Sequence, residues 1–315
     1  MPVICVGNLA VGGTGKTPHT EYLVRLLRSQ RLNVATLSRG YRRKTTGYVL
    51  ADVQSSATSI GDEPRQMKSK FPEVRVAVDE DRCHGIRELM KLDRPQVDVV
   101  LLDDAFQHRR VKAGLNILLT DCRGRLTDDD LLPVGRLREP AEGKVRAQVV
   151  VVTKCPEDIK PIDFNIITKK LDLYPWQQLF FTGLRYGRLQ PVFPGRAKPA
   201  GRQDIPDKDR HVLLVTGIAQ PAPLVEEMEA RAADVVHLAF GDHHDFSRRD
   251  FQRIEECFDS MQGKSCLVVT TEKDAARLKG HPLLPDRLKP YLYALPVEIK
   301  ILQNQQLAFN QTIID

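Results

Sequence analysis

Long apolar runs are missing from this chain of 315 residues: no stretch of 18 consecutive apolar residues occurs, so the sequence encodes no transmembrane helix. Internal repeats and low-complexity tracts are also missing. The 20 glycines and 20 prolines are ordinary numbers for this length, which excludes collagen-like and other biased architectures. The stretch before the first motif is too short for a signal peptide, and we expect none.

Cysteine pairs at metal-binding or redox spacing are absent as well. None of the six cysteines belongs to a Cys-x-x-Cys motif, and their spacing is irregular. A disulfide framework and a zinc site are therefore disfavoured, and a reduced chain in the cytoplasm is the simpler interpretation. The six positions are Cys5, Cys83, Cys122, Cys155, Cys257 and Cys266.

The composition is that of a globular protein with an anionic partner. Hydrophobic residues make up 42% and charged residues 28%, which is too apolar for a disordered chain and too polar for a polytopic membrane protein. At roughly 100–200 residues per domain, the length suggests two domains. The net charge of +6 fits phosphate, an acidic membrane surface or nucleic acid, and does not choose among them.

In the first half of the chain, short runs of Val, Ile and Leu alternate with longer amphipathic stretches. Such runs are typical of strands covered on both faces, and their alternation with helices predicts an α/β fold of the P-loop NTPase type, with a mostly parallel sheet flanked by helices. Pro18 suits a first helical turn, and leucines at helical spacing follow it, so residues 18–29 are predicted to form a helix. Candidate strands cover residues 3–6, 33–37, 74–78, 97–102, 116–120 and 149–153.

The regular alternation breaks near Tyr174. Residues 179–184 and 190–193 flank a short turn and predict a β-hairpin, and a stretch rich in Pro, Gly and Lys follows over 194–206. Beyond it the strand-like runs return, together with a helix opened by Ser247. The predicted bounds are 1–175 for a core, 176–200 for a hairpin linker, and 201–315 for a smaller α/β domain with strands at 211–215, 235–239, 266–270 and 297–302.

The first predicted strand leads into a glycine-rich loop that ends in Gly-Lys-Thr and precedes the predicted helix. A P-loop requires this order, because the loop amides and the helix N-terminus then face phosphate oxygens. Lys16 is predicted to reach the β- and γ-phosphates, and Thr17 to bind Mg²⁺ through its hydroxyl. Ala10 replaces the first glycine of the usual pattern, which is tolerable if its φ is negative. The predicted phosphate-binding residues are Gly12, Gly13, Thr14, Gly15, Lys16 and Thr17.

A second apolar strand, residues 97–102, runs directly into Asp103 and Asp104. An apolar strand that ends in Asp is typical of a Walker B element, which places a carboxylate beside the P-loop at the carboxyl edge of the sheet. One carboxylate is predicted to hold Mg²⁺, directly or through water, and the other to orient the ligands. The spacing does not decide which of the two contacts the metal.

Other polar clusters leave alternatives open. Asp62 could accept a proton from an acceptor hydroxyl, but spacing favours it no more than Asp79 or Asp81, and a helix-capping Asp is the simpler interpretation. The Asp-His-His-Asp segment at 242–245 could bind a metal, remain solvated or tune a proton transfer. Basic residues after predicted strands favour anion binding without deciding it: Arg39, Arg42, Arg43, Lys44, Arg109, Arg110, Arg136 and Arg138.

Together these segments resemble the tetraacyldisaccharide 4′-kinase family, the lipid A 4′-kinases. The matching pieces occur in the family's order and span most of the chain. Two of the motifs are far more specific than the common Gly-Lys-Thr, namely Asp-Asp-Ala-Phe-Gln-His and Gly-Asp-Glu-Pro. The pieces are residues 6–18, Ser38-Arg39-Gly40-Tyr41, residues 61–64, 102–109 and 137–140, Asp242-His243-His244 and residues 271–275.

The resemblance implies an ATP- and Mg²⁺-dependent transfer of the γ-phosphoryl group to the 4′-hydroxyl of tetraacyldisaccharide 1-phosphate, a step of lipid A and lipopolysaccharide biosynthesis. It also implies a P-loop kinase core joined through a two-stranded linker to a smaller α/β domain. The implied partners are the glycolipid substrate and the cytoplasmic face of the bacterial inner membrane, bound peripherally, with no nucleic acid and no obligate protein partner.

The resemblance further assigns roles residue by residue. Asp62 becomes the general base, paired with a histidine of the Asp-His-His segment, for which we choose His243. Lys16 and Asp104 would act beside it in catalysis. The implied metal site comprises Thr17, Asp103, Asp104 and Glu139, and the implied substrate-lining residues are Arg39, Tyr41, His108 and Arg138.

The sequence departs from the family pattern at its start. Family members usually begin with an apolar helical segment that helps them to dock to the membrane, whereas the first predicted strand here begins at Val3. The docking segment is either absent from this chain or lies upstream of it.

Two other function classes fit parts of the sequence. A nucleotide-dependent switch ATPase or GTPase would share the Gly-Lys-Thr loop, but the extra lysine near the loop start is absent, because Ala10 and Val11 occupy that region. The guanine-reading motif is incomplete, since Pro156 stands where Asp is needed. A nucleic-acid-binding module agrees with the basic charge, yet no basic stripe interleaved with aromatic residues occurs.

Overall fold

The computed structural model describes residues 1–123, 129–197, 207–242, 244–261 and 265–315, with the backbone alone for 207–209 and 265. These residues form two compact units. The core unit comprises Met1–Arg185 and Glu298–Asp315, and the inserted unit comprises Tyr186–Val297. Each unit has its own sheet.

Strands and helices alternate through both units. In chain order the strands are β1 Val3–Asn8, β2 Val34–Ser38, β3 Val49–Leu50, β4 Arg75–Val78, β5 Val99–Asp103, β6 Leu115–Asp121, β7 Val149–Thr153, β8 Gln178–Tyr186, β9 Gln190–Pro191, β10 Asp207–Thr216, β11 Ala232–Ala239, β12 Ser265–Thr271, β13 Leu292–Leu295 and β14 Val297–Ile301. The α-helices are α1 Lys16–Ser29, α2 Ala57–Ile60, α3 Asp62–Lys70, α4 Arg82–Met90, α5 Pro161–Leu171, α6 Ala222–Arg231, α7 Arg248–Ser260, α8 Glu272–Lys279 and α9 Gln306–Ile314. Among the helices of the described ranges, none has the length and hydropathy needed to cross a membrane.

The core sheet has nine strands in the order β14-β8-β7-β6-β1-β5-β2-β4-β3. Strand β1 lies between β5 and β6 and pairs in parallel with both, so the loop that follows β1 lies in the middle of the carboxyl edge of the sheet. Strand β3 pairs antiparallel with β4 at one edge. Strands β1, β5 and β7 are buried along their whole length, as expected for strands covered on both faces.

Helices cover both faces of the core sheet. Helix α1 buries Leu23 and Leu27 against one face, where α9 adds Phe309. Helices α4 and α5 pack Leu89 and Leu171 against the other face. The predicted α/β fold class is thereby confirmed, and the six strands predicted in the first half lie within two residues of their observed bounds.

The inserted unit has a second sheet, in the order β11-β10-β12-β13-β9. Its strands are parallel except β9, which runs antiparallel to β13. Helix α7 begins after Ser247, which forms a capping box with Asp250, so the start signal predicted for this helix is confirmed. Phe251 and Ile254 of α7 pack into the core of this unit.

The predicted hairpin over 176–200 is wrong. Strand β8 pairs in parallel with β7 in the core sheet, whereas β9 pairs with β13 in the inserted unit. The physical reason lies in β8, where Phe180 and Phe181 are both buried although they point to opposite faces. A strand that is apolar on both faces is stabilised inside a covered sheet, because an isolated two-stranded hairpin would leave one face in water.

The predicted domain bounds of 1–175 and 201–315 are also corrected. The inserted unit begins at Tyr186 and ends at Val297, and the last residues of the chain return to the core unit. There β14 lies beside β8, and α9 packs against the sheet through Phe309 and Ile313. The chain therefore passes between the units twice, through the neighbouring strands β8 and β14, and these two strands form the two-stranded connection.

Candidate active site

The P-loop turns between β1 and α1. Gly15 precedes α1 in the left-handed region with φ 83°, and Gly12 has φ 108°, so both positions require glycine. A Cβ added to Gly12 or Gly13 would meet no described atom within 4 Å, which shows that the space in front of the loop is open. This space borders the N-terminus of α1 and suits a phosphate group. Ala10 does not have a positive φ, so alanine is unstrained at the first glycine position.

Two neighbouring segments support the loop. Thr153, fully buried at the end of β7, donates its hydroxyl to the carbonyl oxygen of Thr14 at 2.9 Å. On the other side, the segment 136–138 pairs antiparallel with the start of the loop. The Arg138 N–H donates to the carbonyl oxygen of Leu9 at 2.7 Å, and this backbone contact carries the Arg138 side chain to the site.

Lys16 and Arg138 converge on the carboxylate of Asp104. The Lys16 ammonium donates to Asn8 Oδ1 at 3.3 Å and lies 3.7 Å from Asp104 Oδ1. The Arg138 guanidinium donates to the same Asp104 oxygen at 3.1 Å. Asp104 has a positive φ of 49°, a costly conformation for a residue with a Cβ that is typical of functional sites. The structure thus brings three predicted site residues together at the end of β5.

Asp103, the last residue of β5, is a buried carboxyl group whose charge is poorly balanced. Thr20 of α1 donates its hydroxyl to Asp103 Oδ1 at 3.2 Å. Burial, together with the nearby carboxylates of Glu63 and Asp104, raises the pKa of Asp103 to about 7, and Lys16 offsets only part of this rise. A cation bound here would relieve both the desolvation and the repulsion.

The donor set at the end of β5 fits Mg²⁺. This ion prefers oxygen ligands, and protein sites for it usually combine one or two carboxylates with substrate phosphates rather than forming a complete protein cage. Asp103 and Asp104 supply the carboxylates, and Thr17 lies in the first turn of α1. In the part of the chain that the structure describes, no three His, Cys, Asp or Glu side chains form a ready metal cluster, in agreement with a site that phosphate completes.

Glu139 is held by arginines. Its carboxylate accepts hydrogen bonds from Arg109 at 2.8 Å, from Arg146 at 2.8 Å and from Gln107 at 3.1 Å. Burial alone would raise the pKa of Glu139, but the hydrogen bonds from these arginines outweigh it and hold the pKa below its usual value. The metal role implied for Glu139 would require the ion to displace one of these donors, and it stays a prediction.

Asp62 begins α3 immediately after Gly61. Gly61 has φ 93°, and a Cβ there would come within 3.0 Å of the Tyr41 carbonyl oxygen, so glycine allows the turn to pass close to the segment after β2. The adjacent Glu63 is near enough to Asp103 to raise its pKa. The N-terminus of α3 therefore faces the end of β5, while the role of Asp62 as a base stays a prediction.

The residues predicted to line the substrate site lie on loops after β2 and β5. Tyr41 is 62% exposed, and the Arg42 guanidinium lies over its ring. Arg39 is exposed and interacts electrostatically with Arg82. The Nδ1 atom of His108 is buried and has no polar partner among the described residues. Their contact with substrate stays a prediction.

Two charged residues of this site were not predicted from the sequence. Arg82, the first residue of α4, is buried and interacts electrostatically with Asp104 and Asp103. Burial lowers the pKa of its guanidinium, which is anchored by a hydrogen bond to the Asp79 carbonyl oxygen at 2.9 Å. The second is Glu63. The sequence signal that could have indicated Arg82 is its position shortly after the end of a strand, which the other basic segments share.

The Asp-His-His segment belongs to the inserted unit. His243 lies outside the described residues, so the pairing chosen for it stays a prediction. On either side of it, Asp242 forms an ion pair with Lys273 at 2.9 Å, and His244 bonds to Asp250 at 3.0 Å. The neighbours of His243 are therefore held by side chains of α7 and α8.

Comparisons with known proteins show which family this chain is similar to. The chain matches the family model described as tetraacyldisaccharide-1-P 4′-kinase over residues 1–314. It is 60% identical to a tetraacyldisaccharide 4′-kinase of Bacteroides thetaiotaomicron and 58% identical to one of Bacteroides fragilis, with 100% of this chain and 84% of each relative covered. A crystal structure of LpxK from Aquifex aeolicus in complex with ATP is similar with a TM-score of 0.70 and 28% identity, covering 100% of this chain and 88% of that one.

The support of the P-loop by β7 can be tested with a matched pair of variants. We expect Thr153→Val to lower the free energy of unfolding by about 1–3 kcal/mol, because the Thr14 carbonyl oxygen would lose a buried donor. Thr120→Val on β6 is the control: Thr120 is also buried, but its hydroxyl has no partner within the described ranges, so valine should be neutral. Urea unfolding measures both, and equal losses would contradict the supporting role.

Proposed function

The chain belongs to the tetraacyldisaccharide-1-P 4′-kinase family, and we propose that the site in its core unit transfers the γ-phosphoryl group of ATP to the 4′-hydroxyl of the disaccharide lipid. The family match confirms the resemblance, the kinase class and the role in lipid A biosynthesis that the sequence motifs predicted. The observation that carries the proposed site is the convergence of Lys16, Asp104 and Arg138 beside an open P-loop.

ATP as the donor is supported by the loop and by its cations. Gly12 and Gly13 of the loop border open space, and the N-terminus of α1 favours negative charge there. Lys16 and Arg138 share the single carboxylate of Asp104, so either cation can turn to a phosphate while the other keeps the carboxylate neutralised. The similar Aquifex aeolicus protein was crystallised with ATP.

Mg²⁺ is the proposed cofactor, and Asp103, Asp104 and Thr17 are the residues that would hold it. The chemistry that the ion supplies when bound is neutralisation of the charge that develops on the phosphate oxygens. The raised pKa of Asp103 supports this proposal, because it reflects uncompensated negative charge beside the P-loop. Arg82 and Lys16 then balance the remaining carboxylate charge from either side.

For the acceptor, we assign proton removal to Asp62. Transfer needs the sugar hydroxyl to be oriented in line with the γ-phosphate, and a carboxylate oxygen of Asp62 would accept its proton as the new O–P bond forms. The role is supported by the position of Asp62 at the N-terminus of α3, next to Glu63, whose carboxylate is near enough to Asp103 to raise its pKa. The partner proposed for the Asp62 carboxylate is His243, which lies outside the described residues.

The reaction is tested directly by product analysis. We expect the purified protein with ATP, Mg²⁺ and tetraacyldisaccharide 1-phosphate to add one phosphoryl group to the distal sugar, as seen by mass spectrometry of the glycolipid. Lys16→Ala should abolish the product, since the ammonium neutralises the transferring phosphate. An equal rate with GTP and no lipid product would instead support a nucleotide-dependent switch.

Asp62→Ala separates proton transfer from nucleotide binding. We expect kcat to fall by roughly 10²–10⁴-fold, the range for loss of a general base, with little change in KM for ATP. Asp52→Ala is the matched control, because Asp52 is an exposed acid of the same unit, 10 positions earlier in the chain. A kcat for Asp62→Ala within about threefold of the parent would remove Asp62 from the catalytic role.

We also propose that the protein binds peripherally at the cytoplasmic face of the inner membrane, where its lipid substrate would lie. The supporting feature is the apolar turn, residues 131–135, which is held by a hydrogen bond from the Val134 N–H to the Leu131 carbonyl oxygen at 3.0 Å. Leu132 and Val134 are 51% and 85% exposed on this turn. Arg136, next along the chain, is exposed and is paired with the Asp129 carboxylate at 2.7 Å.

Vesicle binding tests the apolar turn. We expect Val134→Asp to weaken co-sedimentation with vesicles of an anionic phospholipid by about 3–10-fold, because an apolar contact with the acyl region is replaced by a charge. Val53→Asp is the matched control, since Val53 is 84% exposed elsewhere in the core unit. Equal losses in both variants would show that net charge, and not the turn, governs binding.

A further inference from the structure

Two thiols meet beside the P-loop, at the carboxyl ends of β6 and β7. These strands are parallel neighbours, with Asp121 opposite Thr153. The backbone N–H of Cys122 donates to the Thr153 carbonyl oxygen at 2.9 Å, and the thiols of Cys122 and Cys155 are hydrogen-bonded to each other. Both cysteines are in the reduced thiol form in this structure.

The two thiols differ in access to solvent. Cys122 is half-buried, whereas Cys155 is buried and also contacts the Val152 carbonyl oxygen through its Sγ at 3.6 Å. The hydrogen bond with Cys122, together with burial, raises the pKa of the Cys155 thiol. Cys122 is therefore the thiol that a small oxidant reaches first, and Cys155 is the buried thiol in contact with it, in the position of a resolving cysteine.

We propose that Cys122 and Cys155 form a reversible oxidation site, at which a peroxide joins the two thiols in a disulfide and lowers the activity of the adjacent P-loop. The sulfur of Cys122 attacks one peroxide oxygen, the O–O bond breaks, and Cys122 becomes a sulfenic acid as water leaves. The sulfur of Cys155 then attacks that sulfur, the S–O bond breaks, and a second water leaves with the thiol proton. Overall, two thiols and one hydrogen peroxide give one disulfide and two waters.

The site of the disulfide explains why activity would fall. Thr153, one of the supports of the P-loop, lies opposite Asp121, and Lys154 is paired with the Asp121 carboxylate at 3.0 Å. Cys122 and Cys155 directly follow Asp121 and Lys154. A disulfide requires the sulfurs to approach to about 2.05 Å, well inside hydrogen-bond contact, so its formation would draw the two strand ends together and displace Thr153 from Thr14.

Peptide mapping of the full-length chain tests the bond itself. After treatment with hydrogen peroxide, alkylation and tryptic digestion without reductant, we expect the peptide of residues 113–123 to be cross-linked to the peptide that begins at Cys155. The affinity for ATP and kcat/KM should fall by about tenfold, and both should return on treatment with dithiothreitol. This inference goes beyond the proposed reaction, and the cross-link is measured even if the kinase assay gives no product.

Three variants make the test specific. Cys122→Ser and Cys155→Ser should each lose the cross-link and keep their ATP affinity after peroxide. Cys83→Ser, a half-buried thiol on α4 of the same unit, should remain as sensitive as the parent. Absence of the cross-linked peptide from the oxidised parent would overturn the site, and a disulfide that forms without change in ATP affinity would overturn its effect on the P-loop.

Discussion

The site depends on the fact that four parallel strands, β5, β1, β6 and β7, end side by side at one edge of the core sheet. The P-loop follows the second of these strands, the acidic pair ends the first, and Thr153 at the end of the fourth holds the loop through Thr14. The pairing of these strands thus brings groups that are up to 139 residues apart in the chain within hydrogen-bond distance of each other. Because the backbone bonds of the sheet are buried, the loop geometry is built into the most stable part of the fold.

Charge at this edge is arranged for a ligand rather than for stability. Asp103 is buried with too little positive charge near it, whereas Glu139, also buried, is matched by two arginines. The pKa values of the two carboxyl groups therefore shift in opposite directions: that of Asp103 is raised to about 7, and that of Glu139 is lowered. A buried carboxylate with too little positive charge near it, such as Asp103, destabilises the fold. Its desolvation costs several kcal/mol unless a bound cation offsets that cost. The imbalance at Asp103 is therefore a physical reason to expect a bound cation at this site.

Local pattern was enough to predict the strands around the P-loop, because Val and Ile runs at β1 and β7 are buried on both faces whatever their partners are. It failed at β8, because the choice between a hairpin and a place in the core sheet between β7 and β14 depends on the contact of Phe180 with Phe309, 129 residues later in the chain. The acidic pair was visible because it ends an apolar strand. Arg82 was missed, since nothing in its own neighbourhood shows that a buried guanidinium will face carboxylates from β5, and Asp62 was singled out by resemblance rather than by spacing.

The segment 131–138 contains both an exposed apolar turn and an arginine of the candidate active site. At one end its turn exposes Leu132 and Val134 to solvent, and at the other its backbone pairs with the P-loop and brings Arg138 to Asp104. Because Arg138 donates its N–H to Leu9, a displacement of the apolar turn is transmitted to the loop by main-chain bonds rather than by flexible side chains. The turn that we propose to contact lipid and the arginine that we propose to bind phosphate therefore lie on one short segment, which is joined to the P-loop by main-chain bonds.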